Sequence, residues 1–248
     1  AGFAVVFQIK HLQHLAHTLM KMFSAAKSIG RFFIAVILCA TTCLCFSESK
    51  ITWGKDELAD SRQMVLVTTK DWNAVGGTLQ RFERKNSNAT WSEVGSPIEI
   101  VVGRNGLGWG RGLHKEIKTE PQKKEGDGKS PAGTFRLSFA FGFAKPNEIQ
   151  LKLPYVQVTE MLECIDDVKS ARYNSIVDNS HIINPDWNSS EKMLEIGEAY
   201  RLGVVVDHNV APRAAGKGSC IFLHIWKGDG SGTSGCTAMA KSEMEKLI

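Results

Sequence analysis

The chain has 248 residues, with 30 Lys+Arg against 26 Asp+Glu, 43% apolar and 23% charged residues. This composition excludes a low-hydrophobicity disordered chain and a repeat fibre, and the length suffices for a core that folds without metal or dense disulfides. The formal charge of +4 sits at the front: residues 1–47 hold Lys10, Lys21, Lys27 and Arg31 and no acidic residue. Residues 48–248 therefore carry 26 charges of each sign, without the positive footprint that a nucleic-acid partner needs.

In chain order, residues 1–19 precede the start-like methionines Met20 and Met22 and are set outside the folded domain. A positive stretch (Met20, Lys21, Met22, Lys27, Arg31) then leads into the apolar run Phe32–Phe46 and the small and polar Ser47, Glu48 and Ser49. The run is shorter than the about 20 residues a spanning helix needs, and the order positive, apolar, small is that of a secretory signal peptide. The expectation is export to the periplasm or exterior, cleavage near Ser47 and contact with the membrane only during export. An uncleaved anchor is the alternative, and Cys39, Cys43 and Cys45 lack a lipidation pattern. One domain, 48–248, follows, with a monomer as the default.

Seven segments rich in β-branched or aromatic residues read as strands: Met64–Thr69, Thr78–Lys85, Ile98–Gly103, Thr134–Phe141, Tyr155–Thr159, Gly203–Asn209 and Cys220–Trp226. Gly-rich separators lie between them, as in 103–112 and 126–133; Asp127–Pro131 lacks P-loop spacing and reads as a tight turn. Helix signals are few: Asn188-Ser189-Ser190-Glu191 opening 191–202, and the capping-box spacing Ser242 to Glu245 opening a helix to Ile248. The fold class is mostly β, with a few peripheral helices. No motif calls for a cofactor.

Removing the leader leaves Cys164, Cys220 and Cys236, an odd number in a disulfide-permissive compartment, so one thiol stays free. His224 closes the strand at 220–226, a glycine-rich run follows, and Cys236 arrives twelve residues later in Ser234-Gly235-Cys236-Thr237. A thiol attacks only as thiolate, which a nearby imidazole supplies by taking its proton. Gly235 leaves room for a substrate carbonyl, and the turn Ser234, Gly235, Thr237 offers backbone N–H groups to an oxyanion. His208, Asn209, Tyr173 and Asp178 are weaker candidates to line the same cleft, each more naturally structural. Trp226, beside His224, is the preferred wall of the cleft, whereas Trp109 and Trp187 read as core or rim. Two other classes stay open. His181, His208, His224 and Cys236 are zinc-type ligands without short ligand spacing, so no metal is expected, and a binding module without turnover is the other.

The stretches GSCIFLHIWKGDGSGTSGCTAM (218–239) and EGDGKSPAGTFRL (125–137) resemble the L,D-transpeptidase catalytic-domain, or YkuD-like, family. GRNGLGWGRGL (103–113), ECIDDVKSARYNSIVD (163–178) and VVVDHN (204–209) are similar to a secreted branch of it, and the resemblance runs from Gln63 to Leu247. It implies a β-rich, sandwich-like catalytic domain with Cys236 as nucleophile and His224 as base. It also implies peptidoglycan stem peptides as partners: the thiolate attacks a stem tetrapeptide, expels D-alanine and passes the acyl group from a thioester to an amine, or to water in a carboxypeptidase. A Cys164–Cys220 disulfide follows from the resemblance of both segments; a Cys220–Cys236 bridge would instead abolish the nucleophile. The family pattern reads Ser/Thr-His-Gly-Cys with Arg two residues later, whereas Ser234 stands here for the histidine and Ala238 for the arginine. Those departures, with the short gap of twelve, mark a divergent branch.

Overall fold

The structure, a computed structural model, describes residues 2–9, 57–228 and 230–248. The positive stretch, the apolar run Phe32–Phe46 and the expected cleavage point at Ser47 lie outside the described residues. No described helix is long and apolar enough to cross a membrane.

Among the described residues, thirteen strands account for most of the regular structure. They are β1 (Gly2–Ile9), β2 (Ser61–Thr69), β3 (Gly76–Glu83), β4 (Ser92–Val101), β5 (Leu107–Trp109), β6 (Ser130–Gly142), β7 (Tyr155–Gln157), β8 (Leu162–Ile165), β9 (Ile176–Asp178), β10 (Ser190–Lys192), β11 (Leu202–Val206), β12 (Phe222–Ile225) and β13 (Thr237–Met239). One short helix, α1 (Lys241–Leu247), follows, and 3-10 turns occupy Asn179–His181 and Gly197–Tyr200. Each of the seven strand segments read from the sequence contains a strand. The β-rich class is as expected.

The main sheet runs β1-β2-β3-β4-β13-β12-β11-β6, and β1 pairs with β6 as well as with β2. Every strand of this ring therefore has two neighbours, so the sheet closes on itself and its long edges disappear. Residues 1–19 were expected outside the fold. Instead, Gly2–Ile9 is a full member of the ring, parallel to β2 and antiparallel to β6. The reason is period-two alternation within AVVF: Val5 and Phe7 enter the inner core beside Val65, Val67, Phe135 and Leu137, and Phe7 packs edge-on to Phe135. Ala4 and Val6 point the other way, onto Leu58, Met64, Leu66 and Trp91.

A second layer covers the outer face of β6, β11 and β12. Phe141, Val158, Leu162, Cys164, Met193, Tyr200, Cys220, Phe222 and Cys236 form its core, fed by the small antiparallel sheet β10-β8-β9. A Cys164–Cys220 disulfide, with Cα atoms 6.0 Å apart, ties that small sheet to the start of β12. The pairing implied by the resemblance is thus present, and a Cys220–Cys236 bridge is excluded. Closing a loop of 56 residues' separation contributes about 4 kcal/mol by restricting the unfolded chain.

The helix expected after Asn188 is absent. Ser190–Lys192 pairs with β8 as a strand, and Gly197, at φ +75°, turns the chain into a single 3-10 turn. Tertiary pairing overrides a local cap signal here. At the C-terminal helix the expected capping box also fails to form: α1 begins at Lys241, and Ala240 caps it without a side-chain bond.

Candidate active site

Parallel pairing of β12 with β13 sets the site. His224 lies opposite Ala238, and Cys236 stands immediately before β13. Period-two alternation turns Phe222 and His224, and likewise Cys236 and Ala238, to one face. His224 and Cys236 accordingly line one cleft of about 230 Å³ together with Glu191, Tyr200, Trp226, Lys227, Ser234 and Ala238.

The Cys236 backbone is fixed from both sides. The Cys236 carbonyl accepts a hydrogen bond from Ser130 Oγ at 2.8 Å and one from Thr233 Oγ1 at 2.6 Å. Ser130 Oγ in turn accepts from the Gly103 N–H at 2.9 Å. The segment read as a simple tight turn thus ends in the anchor of Cys236. The sulfur accepts from the Phe222 N–H at 3.3 Å and donates to the Cys220 carbonyl at 3.4 Å. Cys220 adopts φ +54°, a conformation disfavoured for any residue with a Cβ, and is held there by the disulfide and by Asn174 Oδ1, which accepts its N–H at 3.0 Å. The bridge therefore also positions a carbonyl against the Cys236 thiol.

His224 is oriented by its own chain. Nδ1 lies 2.8 Å from the Ile225 carbonyl; a carbonyl only accepts, so Nδ1 carries the hydrogen and Nε2 keeps its lone pair. Burial, opposed by that bond, lowers the pKa of His224 to about 4. Burial likewise pushes the Cys236 thiol far up, with the charge of Glu191 adding to the rise and the Phe222 N–H and Lys123 opposing it. Both partners rest neutral at physiological pH. A neutral thiol and a neutral imidazole with a free Nε2 lone pair thus share one cleft.

The remaining candidates separate cleanly. Trp226 and Ser234 line the cleft. Ser234 is exposed, and its Oγ accepts from Arg104 Nη1 at 3.1 Å. The Gly235 N–H donates to Thr233 Oγ1 at 3.1 Å and is therefore spent on the turn rather than aimed at an oxyanion. Thr237 alternates to the opposite face and is buried there.

His208, Asn209 and Tyr173 are not brought to the cleft. His208 accepts from the Arg111 N–H through Nδ1 at 3.2 Å, and its Nε2 lies 2.9 Å from the Lys217 carbonyl; complete burial lowers its pKa to about 3. Asn209 staples the following loop through Ala214 and Gly218. The Tyr173 hydroxyl donates to Glu125 and accepts the Gly218 N–H. All three satisfy local backbone, the bland alternative for buried polar groups. Asp178 caps the 3-10 turn at Asn179, Trp109 is core, and Trp187 donates to Glu163.

The zinc-type ligands do not converge: His181 is exposed on its turn and His208 is committed to backbone. The described residues hold no group of three or more His, Cys, Asp or Glu side chains able to bind a metal. Ser130, Thr233, Tyr200 and Arg104 carry no site signal in the sequence, and Glu191 reads there only as part of a helix start. The partners of Ser130 and Arg104 lie 106 and 130 residues away, so only the folded sheet reveals them.

The family model of the L,D-transpeptidase catalytic domain (YkuD) matches residues 77–248, which contain every residue of this cleft. The chain belongs to that family, whose members are L,D-transpeptidase-type enzymes. No curated protein and no solved structure matches it.

Proposed function

From this membership we propose that the protein is a cysteine-dependent peptidoglycan L,D-transpeptidase. The supporting observation is the buried free thiol of Cys236 sharing a cleft with a histidine whose Nδ1–H is tied to a carbonyl. In the first half-reaction the Cys236 thiol gives its proton to His224 Nε2 as Sγ bonds to the carbonyl carbon before the terminal D-residue. The tetrahedral oxyanion collapses, the C–N bond breaks, and the imidazolium returns the proton to the departing D-alanine amine. In the second half the same nitrogen takes a proton from the acceptor amine as it attacks the thioester; the C–S bond breaks, the crosslink forms, and the imidazolium returns the proton to the departing Cys236 thiolate. A single neutral imidazole serves as base and acid in turn.

The same reading places the protein outside the cytoplasm, where stem peptides are crosslinked. The Cys164–Cys220 disulfide supports that placement, since such bridges persist in oxidising compartments. A cut near Ser47 would sever the link between β1 and β2, so a processed chain would hold β1 by pairing alone.

Disaccharide tetrapeptide ending in D-alanine tests the reaction. Incubation is expected to release D-alanine and yield a crosslinked dimer, or the tripeptide where water is the acceptor. Folded protein that releases no D-alanine and gives neither product contradicts the assignment.

A further inference from the structure

Behind the cleft lie two groups that the two-residue mechanism does not use. Tyr200, last residue of the 3-10 turn, is buried with its ring edge-on to Phe141, Phe222 and His224 at centroid distances of 5.4, 5.5 and 5.3 Å. Those three contacts leave its hydroxyl little freedom. Tyr200 Oη donates to Glu191 Oε2 at 2.6 Å, and both side chains line the same cleft as Cys236. Glu191 comes from β10 and lines the same cleft, its backbone placed by the pairing of β10 with β8. Carboxyl and phenol thus share one hydrogen bond in the cleft that also holds the thiol, and the phenol has a single hydrogen to give.

We propose that Tyr200 is a further catalytic residue, which donates its hydrogen to the Cys236 sulfur as the thiolate forms, and that Glu191 is a positioning residue that steers this hydrogen. The proposal deepens the acyl-transfer reading and rests on it. When Glu191 is protonated, its own O–H donates to Tyr200 Oη, and the phenol hydrogen is free to turn to sulfur. When Glu191 is ionised, the carboxylate claims that hydrogen and sets a negative charge beside the developing thiolate. No net proton is lost in the relay: the thiol proton still goes to His224, and the phenol keeps its own.

The electrostatics agree with this geometry. Burial, then the nearby charges of Asp166 and Glu125, raise the Glu191 pKa to about 7, against the opposing bond from Tyr200. Burial first, then the charges near Cys236 and Glu191, keep Tyr200 protonated throughout the working range. The charged and titratable groups facing this cluster are Asp166 after β8, Glu125 and Lys123 ahead of β6, and His224 and Lys227 at the end of β12. Lys192, adjacent to Glu191, is committed to Glu163 at 2.5 Å. His224 stays neutral down to about pH 4, so Glu191 is the group of the cluster that changes charge around neutrality.

The test is the rate at which iodoacetamide alkylates Cys236 between pH 5.5 and 9, followed by mass at the peptide that contains it, in full-length wild type, Glu191→Gln and Tyr200→Phe. Alkylation requires thiolate and no transpeptidation, so it reads the relay even if the acyl-transfer assignment fails; absence of D-alanine release bears on that assignment alone. In wild type the rate should climb less than tenfold per pH unit across pH 7, because Glu191 ionises against the thiolate. Glu191→Gln, neutral at every pH, should match wild type near pH 6 and exceed it about tenfold at pH 8.5. Tyr200→Phe keeps the packed ring and should be about tenfold slower throughout. Superimposable profiles for wild type and Glu191→Gln, or a Tyr200→Phe rate equal to wild type, would overturn the proposal.

Discussion

A chain beginning at residue 48 is expected to melt about 10 °C below the full-length protein. The loss comes from β1. Its removal strips Val5 and Phe7 from the inner core and Ala4 and Val6 from the outer cluster, all at 0–2% exposure. Burial of a Val or Phe side chain contributes about 1.5–3 kcal/mol. Removal also opens the ring, leaving β2 and β6 with unpaired edges. Ordering eight residues offsets much of the gain from packing, which keeps the expected shift at a few kcal/mol. A synthetic peptide of residues 1–10 added in trans should restore part of the melting temperature by binding the folded state. Equal melting of the two chains, with no response to the peptide, would show that β1 adds nothing to the closed sheet.

His224→Gln should reduce acylation of Cys236 by about 10³-fold, within the range that general acid–base catalysis supplies. Glutamine can still donate to the Ile225 carbonyl, so the loss is that of the base and not of the fold. In wild type the acid limb should lie near pH 4, where burial has placed the imidazole, rather than near 6.5. The same depression affects stability. An unfolded histidine takes up a proton below pH 6.5 that folded His224 and His208 refuse until about 4 and 3; stability is therefore full above 6.5 and falls as pH drops through that interval. A pH–rate profile of acylation for both proteins, read alongside their melting, checks both statements. Retention of more than a tenth of wild-type acylation by His224→Gln would remove His224 from the mechanism.

Those expectations separate what the sequence makes legible from what it hides. Strand-forming runs such as 64–69 and 220–226 carry their own β-branched pattern, and the His224 and Cys236 pair is visible because strand, glycine loop and return are contiguous. The Cys164–Cys220 bridge is legible only through resemblance, since spacing alone leaves the pairing open. Gly2–Ile9 is missed because an apolar strand ahead of a positive and apolar stretch reads as leader; its partners Phe135 and Val65 supply the reason for its structure, and they lie far along the chain. Glu191 reads as the cap of a helix, whereas pairing with β8 makes it a strand residue facing the thiol's cleft. His208, Asn209 and Tyr173 share the polar character of site residues but have their hydrogen bonds filled by backbone and by Glu125. Ala238 is fully buried opposite His224 and lines the cleft, so the arginine of the family pattern would project into the space beside His224. Arg104 instead brings a guanidinium to the turn, where it donates to Ser234.

Intact-mass spectrometry of the full chain after exposure to a carbapenem, in wild type and Cys236→Ala, tests the acyl-enzyme most directly. The account predicts one covalent adduct on wild type, localised by peptide mapping to Cys236 and absent from Cys236→Ala. No adduct on folded protein whose Cys236 still reacts with iodoacetamide, or an adduct that persists in Cys236→Ala, would contradict it.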